Sequence, residues 1–438
     1  MAKSSKTFDA LIAGVRAIYG EGSVPLHRPV FEGNERQYLV DCIDSNFVSS
    51  VGAKVTEFEE RIADFTRAGY AVATVNGTAA LHMALELAGV GRDDEVITQA
   101  LTFVATCNAA RCAGAWPVFV DVDRDTLGLS PTALRAFFER HAERRAGVVF
   151  NRSSGRRLAA CVPMHTFGHP CRIGEIVAIC DEWGIPVVED AAESLGSFID
   201  LLPEEVGAAS AAPTPVDRGG LAAKAAPTAD WNGLAAEAAA TVGSRWRHTG
   251  TLGRLGTLSF NGNKIITTGG GGMIVTDDAE LAARAKHLTT TAKVPHPFEF
   301  VHDQTGYNYR MPNLNAALGC AQMERLPEML AIKAEIARRY AAVCAEIGIC
   351  FLAAPAGTRS NHWLNAILLS SAAERDAFLE YTNAQGVMTR PIWRLMSRLA
   401  MYADCQHDGL ENSLWLEERV VNLPSSVPEG WMGDFAAV

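Results

Sequence analysis

The sequence predicts an α/β protein built around a mostly parallel sheet. Apolar strand-like runs alternate with helical segments between residues 70 and 190, which is typical of a parallel sheet covered by helices on both faces. Two more strand-like runs, 256–260 and 273–276, extend this pattern. A long helical stretch, 313–347, then leads to shorter elements at 363–424, which predict a smaller α+β domain at the C-terminal end.

These elements divide the chain into an N-terminal helix (1–26), a large domain (27–318) and a small domain (319–438). The segment 201–243 breaks the alternation, because 14 of its 43 residues are alanine and only Trp231 is aromatic. We interpret it as an insertion in the large domain. It could be a flap over a substrate pocket or a peripheral tether, and its composition favours the tether.

Composition excludes several classes of function. The 438 residues carry a formal charge of −11, which argues against general nucleic-acid binding. No apolar run is long enough to cross a membrane, and the ten cysteines form no C-x-x-C pair, so we expect a cytoplasmic protein with reduced thiols. His165, His169 and Cys171 are close in sequence, but no second ligand pair accompanies them, so we expect no metal site.

Gly77 and Thr78 lie where a strand (70–75) turns into a helix (81–88). Free backbone N–H groups at a helix N-terminus attract anions, so the turn predicts a phosphate-binding site. The alternative is an ordinary helix cap.

Phe103 and Asp190 each lie at the end of a predicted strand, where parallel sheets place their ligand sites. Phe103 could stack on a flat ring or pack in the core. A buried carboxylate such as Asp190 needs a cationic partner, for which a protonated ring nitrogen would serve, or else caps the next helix.

Ser259 and Lys264 belong to the run SFNGNKIITTGGGG at 259–272. The lysine is a candidate nucleophile toward an aldehyde, and the serine is a candidate anion ligand. The alternative is a solvated surface loop, which could have the same sequence. Together with the phosphate turn, Phe103 and Asp190, they match the groups that pyridoxal phosphate (PLP) requires.

The motifs of this chain resemble those of the DegT/StrS family of PLP-dependent sugar aminotransferases. The matching segments are FVSSVG (47–52), VNGTAAL (75–81), EDAAES (189–194), the run 259–272, GYNYRM (306–311) and TRPIW (389–393). The resemblance implies an aspartate-aminotransferase-like fold, known as fold type I.

The resemblance also implies roles for the cofactor-binding residues. Lys264 would carry the cofactor and then act as the base that moves a proton, which requires a depressed pKa. Asp190 would keep the ring nitrogen protonated, Phe103 would stack on the ring, and Glu193 would lie near the ring hydroxyl. The phosphate would bind to three residues: Gly77, Thr78 and Ser259.

Three further residues follow from the resemblance alone. Asn308 would reach the phosphate of a neighbouring subunit, with Arg310 close by, so the active unit would be a homodimer with shared sites. Asn261 and Arg310 would lie on the substrate side.

The family resemblance implies transfer of an amino group from L-glutamate to C4 of a nucleotide-linked 4-keto-6-deoxy sugar, in surface-glycan or nonulosonate biosynthesis. The motif sequences are most similar to those of the legionaminic-acid branch, which suggests UDP-2-acetamido-2,6-dideoxy-4-keto-hexose as the substrate. A GDP-4-keto-6-deoxymannose 4-aminotransferase, similar to perosamine synthases, is the alternative. A PLP-dependent sugar dehydratase is less favoured, because that branch has a histidine where this chain has Lys264. A non-catalytic sensor and a cofactor-free sugar-binding protein are the remaining alternatives.

Overall fold

The computed structural model describes residues 5–201 and 246–432. Apart from its first residue, the predicted insertion at 201–243 lies outside these ranges. The strands in chain order are β1 (Tyr70–Thr74), β2 (Glu95–Gln99), β3 (Trp116–Val120), β4 (Ala142–Arg145), β5 (Val148–Asn151), β6 (Leu158–Val162), β7 (Val188–Asp190), β8 (Phe198–Asp200), β9 (Trp246–His248), β10 (Leu255–Ser259), β11 (Gly272–Thr276), β12 (Lys293–Val294), β13 (Val301–His302), β14 (Cys350–Phe351), β15 (Thr358–Arg359), β16 (Asn365–Leu368), β17 (Arg390–Pro391) and β18 (Val420–Leu423).

Helices fill most of the connections between these strands. In chain order they are α1 (Ser5–Tyr19), α2 (Glu35–Asp44), α3 (Ala53–Thr66), α4 (Gly77–Leu87), α5 (Val104–Cys112), α6 (Pro131–His141), α7 (Ile173–Trp183), α8 (Ala279–Thr289), α9 (Asn313–Glu346), α10 (Ala372–Ala384) and α11 (Glu411–Glu417), with short 3₁₀ turns at Thr166–Gly168, Met396–Arg398 and Ala400–Tyr402.

The main sheet has the strand order β3-β2-β6-β7-β10-β11-β1. The first three strands pair in parallel, as do β7 and β10. Parallel bridges from Cys161 to Val187 and from Met164 to Asp190 join the two parts. Strand β11 runs antiparallel to both of its neighbours, β10 and β1. The prediction of a mostly parallel sheet is therefore confirmed.

Helices cover both faces of the sheet because successive strand residues point to opposite sides. Ala71 and Ala73 of β1 lie in the core formed with α1, α3 and α9. Val72, between them, lies in a second core formed with α4 and α8. This alternation explains why the strands read as nearly continuous apolar runs in the sequence.

The second group of elements is organised around an antiparallel sheet of order β14-β16-β18-β17, backed by α10. Helix α9 runs without interruption across the predicted domain boundary at 318/319. The N-terminal helix α1 packs between α9 and α10, with the ring of Phe8 centred 5.1 Å from that of Phe378. The helix predicted at the N-terminus is thus part of a core shared with the C-terminal elements.

A small three-stranded sheet, of order β15-β8-β9, brackets the part of the chain outside the described residues. Asp200 at the end of β8 pairs with Trp246 at the start of β9. The residues that flank 202–245 on either side are therefore neighbours in the structure. Strand β15, from the C-terminal group, pairs with the other edge of β8.

Helix α6 and the β4–β5 hairpin, which lie between β3 and β6, are not among the elements predicted from the sequence. Helix α6 carries a recognisable start signal, because Ser130 caps it and Pro131 is its first residue. Within residues 5–201 and 246–432, no helix is long and apolar enough to span a membrane.

Candidate active site

One edge of the main sheet collects the ends of four strands. Asp190 ends β7 and is paired with Thr257 of β10, which continues to Ser259. Gly272 of the antiparallel β11 lies opposite both Ser259 and Thr74. Residues far apart in the sequence therefore meet at this edge, as expected for the carboxyl ends of parallel strands.

The turn after β1 opens helix α4 at the same edge. The side chain of Asn76 caps the helix by accepting a hydrogen bond from the N–H of Ala79 at 2.8 Å. The first turn still presents backbone N–H groups with no acceptor inside the helix, at its positive end. A Cβ at Gly77 would lie 2.9 Å from Cβ of Ser259, so the helix start and the serine hydroxyl form one cradle that only glycine permits.

Asp190 is buried, with 5% of its surface exposed. One carboxylate oxygen accepts a hydrogen bond from the Thr106 hydroxyl at 2.7 Å and the other from the N–H of Ala192 at 3.2 Å. No ion pair joins Asp190 to a cation among residues 5–201 and 246–432. A buried carboxylate without a cationic partner is costly, and a protonated ring nitrogen would supply the missing charge.

Lys264 lies next to a second buried acid. Its Nζ is 3.4 Å from Oε1 of Glu193 and 3.9 Å from the ring centroid of Trp363. The indole N–H of Trp363 donates to the backbone oxygen of Asn263 at 2.6 Å. The tryptophan thus fixes the loop next to the lysine while its ring face contacts the ammonium group, a favourable cation–π arrangement.

Glu193 occupies an environment that opposes ionisation. Burial, and secondarily the charge of Asp190, raise the pKa of Glu193 to about 7, although Lys264 and the backbone N–H of Phe167 partly offset this. That N–H donates to Oε2 of Glu193 at 2.9 Å. Phe167 has a positive φ of 58°, an uncommon conformation for a non-glycine residue, which turns its N–H toward the acid. Glu193 can therefore exchange a proton near neutral pH.

Glu189 lies on the opposite face of strand β7 from Asp190. It accepts hydrogen bonds from the N–H groups of Gly250, Leu252 and Gly253 at 2.6–2.7 Å and contacts Nε2 of His165 at 2.9 Å. Burial alone would raise the pKa of Glu189, but His165 and the backbone donors outweigh burial and hold the pKa below its ordinary value. This fixed anion secures the strand that carries Asp190.

Phe103 is the residue immediately before helix α5, at the end of the loop after β2, and 48% of its surface is exposed. Its ring centroid lies 6.1 Å from that of Trp393, in an edge-on arrangement. The structure therefore places Phe103 outside the closed core. An open ring face of this kind is available for stacking.

Asn261 and Arg310 are predicted on the substrate side, and Asn308 at the phosphate of a neighbouring subunit. Asn261 is exposed and lies in the lysine loop, where its backbone oxygen accepts a hydrogen bond from the N–H of Lys264 at 3.0 Å. Asn308 is also exposed. Arg310 forms an ion pair with buried Glu59 and donates to the backbone oxygen of Ala73 at 3.1 Å. Within the described residues, no hydrogen bond or ion pair links Asn308 or Arg310 to Lys264, Glu193 or Asp190.

Sequence reasoning missed two residues that contact this site. Thr106 follows Phe103 by one helical turn, so its position after the β2 end was a usable signal. Trp363 comes from the C-terminal group of elements, 100 residues from its hydrogen-bonding partner, and no local pattern indicates it.

The donor set fits a flat, phosphorylated cofactor with a basic ring nitrogen, which is the chemistry of PLP. The cradle at Gly77 and Ser259 suits the phosphate, Asp190 suits the ring nitrogen, and Lys264 suits the aldehyde. Among the described residues, no cluster of three or more His, Cys, Asp or Glu side chains could hold a metal ion.

Comparison with known proteins gives consistent matches along the chain. The model of the DegT/DnrJ/EryC1/StrS aminotransferase family matches residues 29–214 and 229–428. The interruption, 215–228, is shorter than the predicted insertion at 201–243.

The alignments with individual relatives cover most of this chain and most of each relative. EpsN of Bacillus subtilis (strain 168), whose name describes a pyridoxal phosphate-dependent aminotransferase, is 33% identical over 84% of this chain and 81% of its own. GDP-perosamine synthase of Escherichia coli O157:H7 is 30% identical over 92% of this chain and 93% of its own length. The crystal structure of the aminotransferase TlmJ from Streptoalloteichus hindustanus superposes with a TM-score of 0.74 and 26% identity, covering 92% of this chain and 94% of TlmJ.

Proposed function

Because the chain belongs to the DegT/DnrJ/EryC1/StrS aminotransferase family, we propose that it transfers the amino group of L-glutamate to C4 of a nucleotide-linked 4-keto-6-deoxy sugar. The chain is a PLP-dependent aminotransferase with fold type I architecture. The fold prediction made from the sequence is confirmed. The identity of the donor and of the sugar is our proposal.

When bound, PLP supplies an aldehyde that condenses with amines and a ring that withdraws electrons from the substrate carbon. Gly77, Thr78 and Ser259 would hold its phosphate through backbone and hydroxyl donors. Asp190, oriented by Thr106 and Ala192, would pair with its ring nitrogen. Phe103 would cover one face of the ring.

Lys264 would move a proton to and from the substrate carbon. The observation that carries this role is the 3.4 Å contact between its Nζ and Oε1 of Glu193, a carboxyl group whose pKa burial raises to about 7 and which can therefore exchange a proton near neutral pH. The ring face of Trp363 limits the directions in which the ammonium group can point.

Among the relatives, GDP-perosamine synthase supports a sugar substrate, and its match covers 92% of this chain. This relation supports a GDP-linked 4-keto-6-deoxymannose, whereas the motif resemblance favours a UDP-linked 2-acetamido sugar. The 4-keto group and the missing 6-hydroxyl are common to both. We therefore propose this shared sugar chemistry and leave the nucleotide to experiment.

We also propose a homodimer with shared active sites. Asn308 is exposed, whereas the rings of Tyr307 and Tyr309 on either side of it stack against each other and contact His82 of helix α4. This arrangement supports a role for Asn308 outside its own subunit.

The test follows the visible absorbance of the purified protein reconstituted with PLP. We expect L-glutamate to abolish the visible band, and we expect either the UDP- or the GDP-linked keto sugar to restore it with formation of a 4-amino sugar detected by mass spectrometry. A Lys264→Ala variant should lose the visible band and at least about a hundredfold of the rate.

Three outcomes would contradict the proposal. A band that ignores glutamate would indicate another donor or the dehydratase reaction. A glutamate response that neither keto sugar reverses would exclude the proposed acceptor. A protein that binds no PLP would overturn the assignment as a whole.

A further inference from the structure

Asn361 lies between the two segments that contact the amine of Lys264, and its side chain bonds to both. Its Nδ2 donates hydrogen bonds to the backbone oxygens of Glu193 at 2.8 Å and of Leu195 at 2.9 Å. Its Oδ1 accepts a hydrogen bond from the N–H of Trp363 at 2.9 Å. Because the two carbonyls can only accept and the N–H can only donate, these partners fix the orientation of the amide.

These bonds complete a closed ring of contacts that includes the lysine. Nζ of Lys264 is 3.4 Å from Oε1 of Glu193 and 3.9 Å from the ring centroid of Trp363. Asn361 joins the backbones of the same two residues. Its amide therefore sets the spacing between the two groups that flank the amine.

The side chain of Asn361 is itself held in one place. It is buried, and the backbone N–H of Asn361 donates to the Ser197 hydroxyl at 2.9 Å, which in turn donates to the backbone oxygen of Gly168 at 2.7 Å. A Cβ at Gly168 would lie 1.8 Å from Oδ1 of Asn361, so the amide occupies space that only glycine leaves free. Gly168 follows Phe167, whose N–H binds the side chain of Glu193. Asn361 thus packs against the turn that holds this acid.

Loss of the Asn361 amide would leave three buried backbone groups without their partners: the oxygens of Glu193 and Leu195 and the N–H of Trp363. Unsatisfied buried polar groups are costly, so the two segments would shift or admit water. Either response changes the direction in which Nζ of Lys264 points, since both of its neighbours belong to these segments.

We propose that Asn361 is a positioning residue for covalent capture of PLP, because by joining Glu193 to Trp363 it holds Nζ of Lys264 in the direction from which it bonds to the cofactor aldehyde. In this step Nζ bonds to the aldehyde carbon, and the aldehyde oxygen leaves as water with the two protons of the amine. Asn361 acts through the two residues that it joins. This role concerns the cofactor and does not depend on which donor or sugar the protein uses.

The test separates the binding of PLP from its reaction with Lys264. Protein freed of cofactor is mixed with increasing concentrations of PLP, which gives a limiting rate of visible-band formation and a half-saturating concentration. Asn361→Leu keeps nearly the same volume and removes all three hydrogen bonds of the amide. We expect the limiting rate to fall about tenfold, because the amine loses its fixed direction. The half-saturating concentration should stay within about twofold of wild type.

Deoxypyridoxine phosphate makes the test specific. It has the ring and phosphate of PLP but a methyl group in place of the aldehyde, so it cannot react with Lys264. Wild type and Asn361→Leu should bind it with Kd values within about twofold of each other. Asn361→Ser is the second variant, because its hydroxyl can still accept from the N–H of Trp363 but reaches neither carbonyl. It should lose about threefold of the limiting rate.

Asn151→Leu is the matched control. Asn151 is also fully buried, its Oδ1 accepts from the N–H of Ser153 at 3.0 Å, and its Nδ2 donates to Glu95 at 2.7 Å and to Gln406 at 2.8 Å. The same number of hydrogen bonds is therefore lost, at a place outside the site described above. This variant should capture PLP at the wild-type rate.

Three results would overturn the role of Asn361. The first is capture of PLP at the wild-type rate by both Asn361 variants. The second is an affinity for deoxypyridoxine phosphate that falls as much as the capture rate, or variants that do not fold, because Asn361 would then only support the structure. The third is equal slowing by Asn151→Leu. A wild type that binds no PLP gives a different result, because the assignment of the cofactor itself would then be wrong.

Discussion

Glu189 and Glu193 are two buried carboxyl groups, four residues apart, whose pKa values are shifted in opposite directions. Backbone N–H groups and His165 hold Glu189 ionised, whereas burial raises the pKa of Glu193 to about 7. The sign of the pH dependence follows for each. The folded state binds the Glu193 proton more tightly than the unfolded state does, so this residue lowers stability as pH rises from its ordinary pKa to about 7. Glu189 contributes stability above its ordinary pKa, which is lost as pH falls through its lower folded value.

We therefore expect opposite effects from the same chemical change at these two sites. In protein freed of cofactor, Glu193→Gln should gain stability relative to wild type on going from pH 5 to pH 8, by at most about 3 kcal/mol. Glu189→Gln should destabilise by about 3–5 kcal/mol at pH 8, because it breaks a buried pair, and the deficit should shrink below pH 4.5. Thermal denaturation from below pH 4.5 up to pH 8 measures both effects. Parallel curves for the two variants would contradict the assignment.

At this scale the sequence identified much of the site. The motifs indicated Lys264, Asp190, Glu193 and Ser259, and the structure brings them to one edge of the sheet. Their individual roles stay predictions. The partners of these residues were harder to find, because Thr106 meets Asp190 across 84 residues of sequence and a local pattern carries no such information.

At the scale of elements, the start of helix α4 shows how closely two backbone segments approach. A Cβ at Gly77 would lie 2.9 Å from the Ser259 Cβ, and nothing in the backbone conformation of Gly77 itself excludes alanine. The constraint is therefore the space between the helix start and strand β10.

Gly77→Ala should push the helix start away from Ser259 and weaken PLP binding by about 1–3 kcal/mol, which corresponds to roughly 5- to 150-fold in Kd. Gly262→Ala is the matched control, because a Cβ there would meet no atom within 4 Å. Fluorescence or absorbance titration with PLP measures both variants. Equal affinities would show that the cradle does not hold the phosphate.

Most elements were predicted because their periodicity is strong. Strands buried on both faces give continuous apolar runs, and the helical stretch predicted at 313–347 agrees with α9 to within one residue. The β4–β5 hairpin was missed because each strand has only four residues and β4 is polar, with Arg144 and Arg145 exposed.

At the scale of the whole molecule, the segment 202–245 begins and ends at paired residues. Asp200 and Trp246 are register partners, so a short turn could join β8 to β9 directly. Only residues 215–228 within the segment fall outside the family match. The sequence could indicate the unusual composition here, but it could not reveal that the flanking residues pair.

Replacing 202–245 by Asn-Gly, which together with Leu201 makes a three-residue loop between Asp200 and Trp246, should leave the fold intact, because the β8–β9 pairing is retained. On the tether interpretation, sugar affinity and turnover should remain within about twofold of wild type, since no contact to the site is removed. Circular dichroism, PLP absorbance and steady-state kinetics measure the result. A folded, PLP-binding variant with weakened sugar affinity would favour the flap instead.

The order of strands in the main sheet also constrains how the site is assembled during synthesis. Strand β1, which leads into the phosphate-binding turn, pairs only with β11 within the main sheet, so Tyr70 must wait for Thr276 to leave the ribosome. At about 5–20 residues per second, the intervening chain takes on the order of 10–40 s to synthesise. During that time β1 has no strand to pair with in the main sheet, and unpaired strand edges are prone to aggregate. The cofactor site is therefore a late product of folding, and nascent chains shorter than about 280 residues should depend on chaperones to remain soluble.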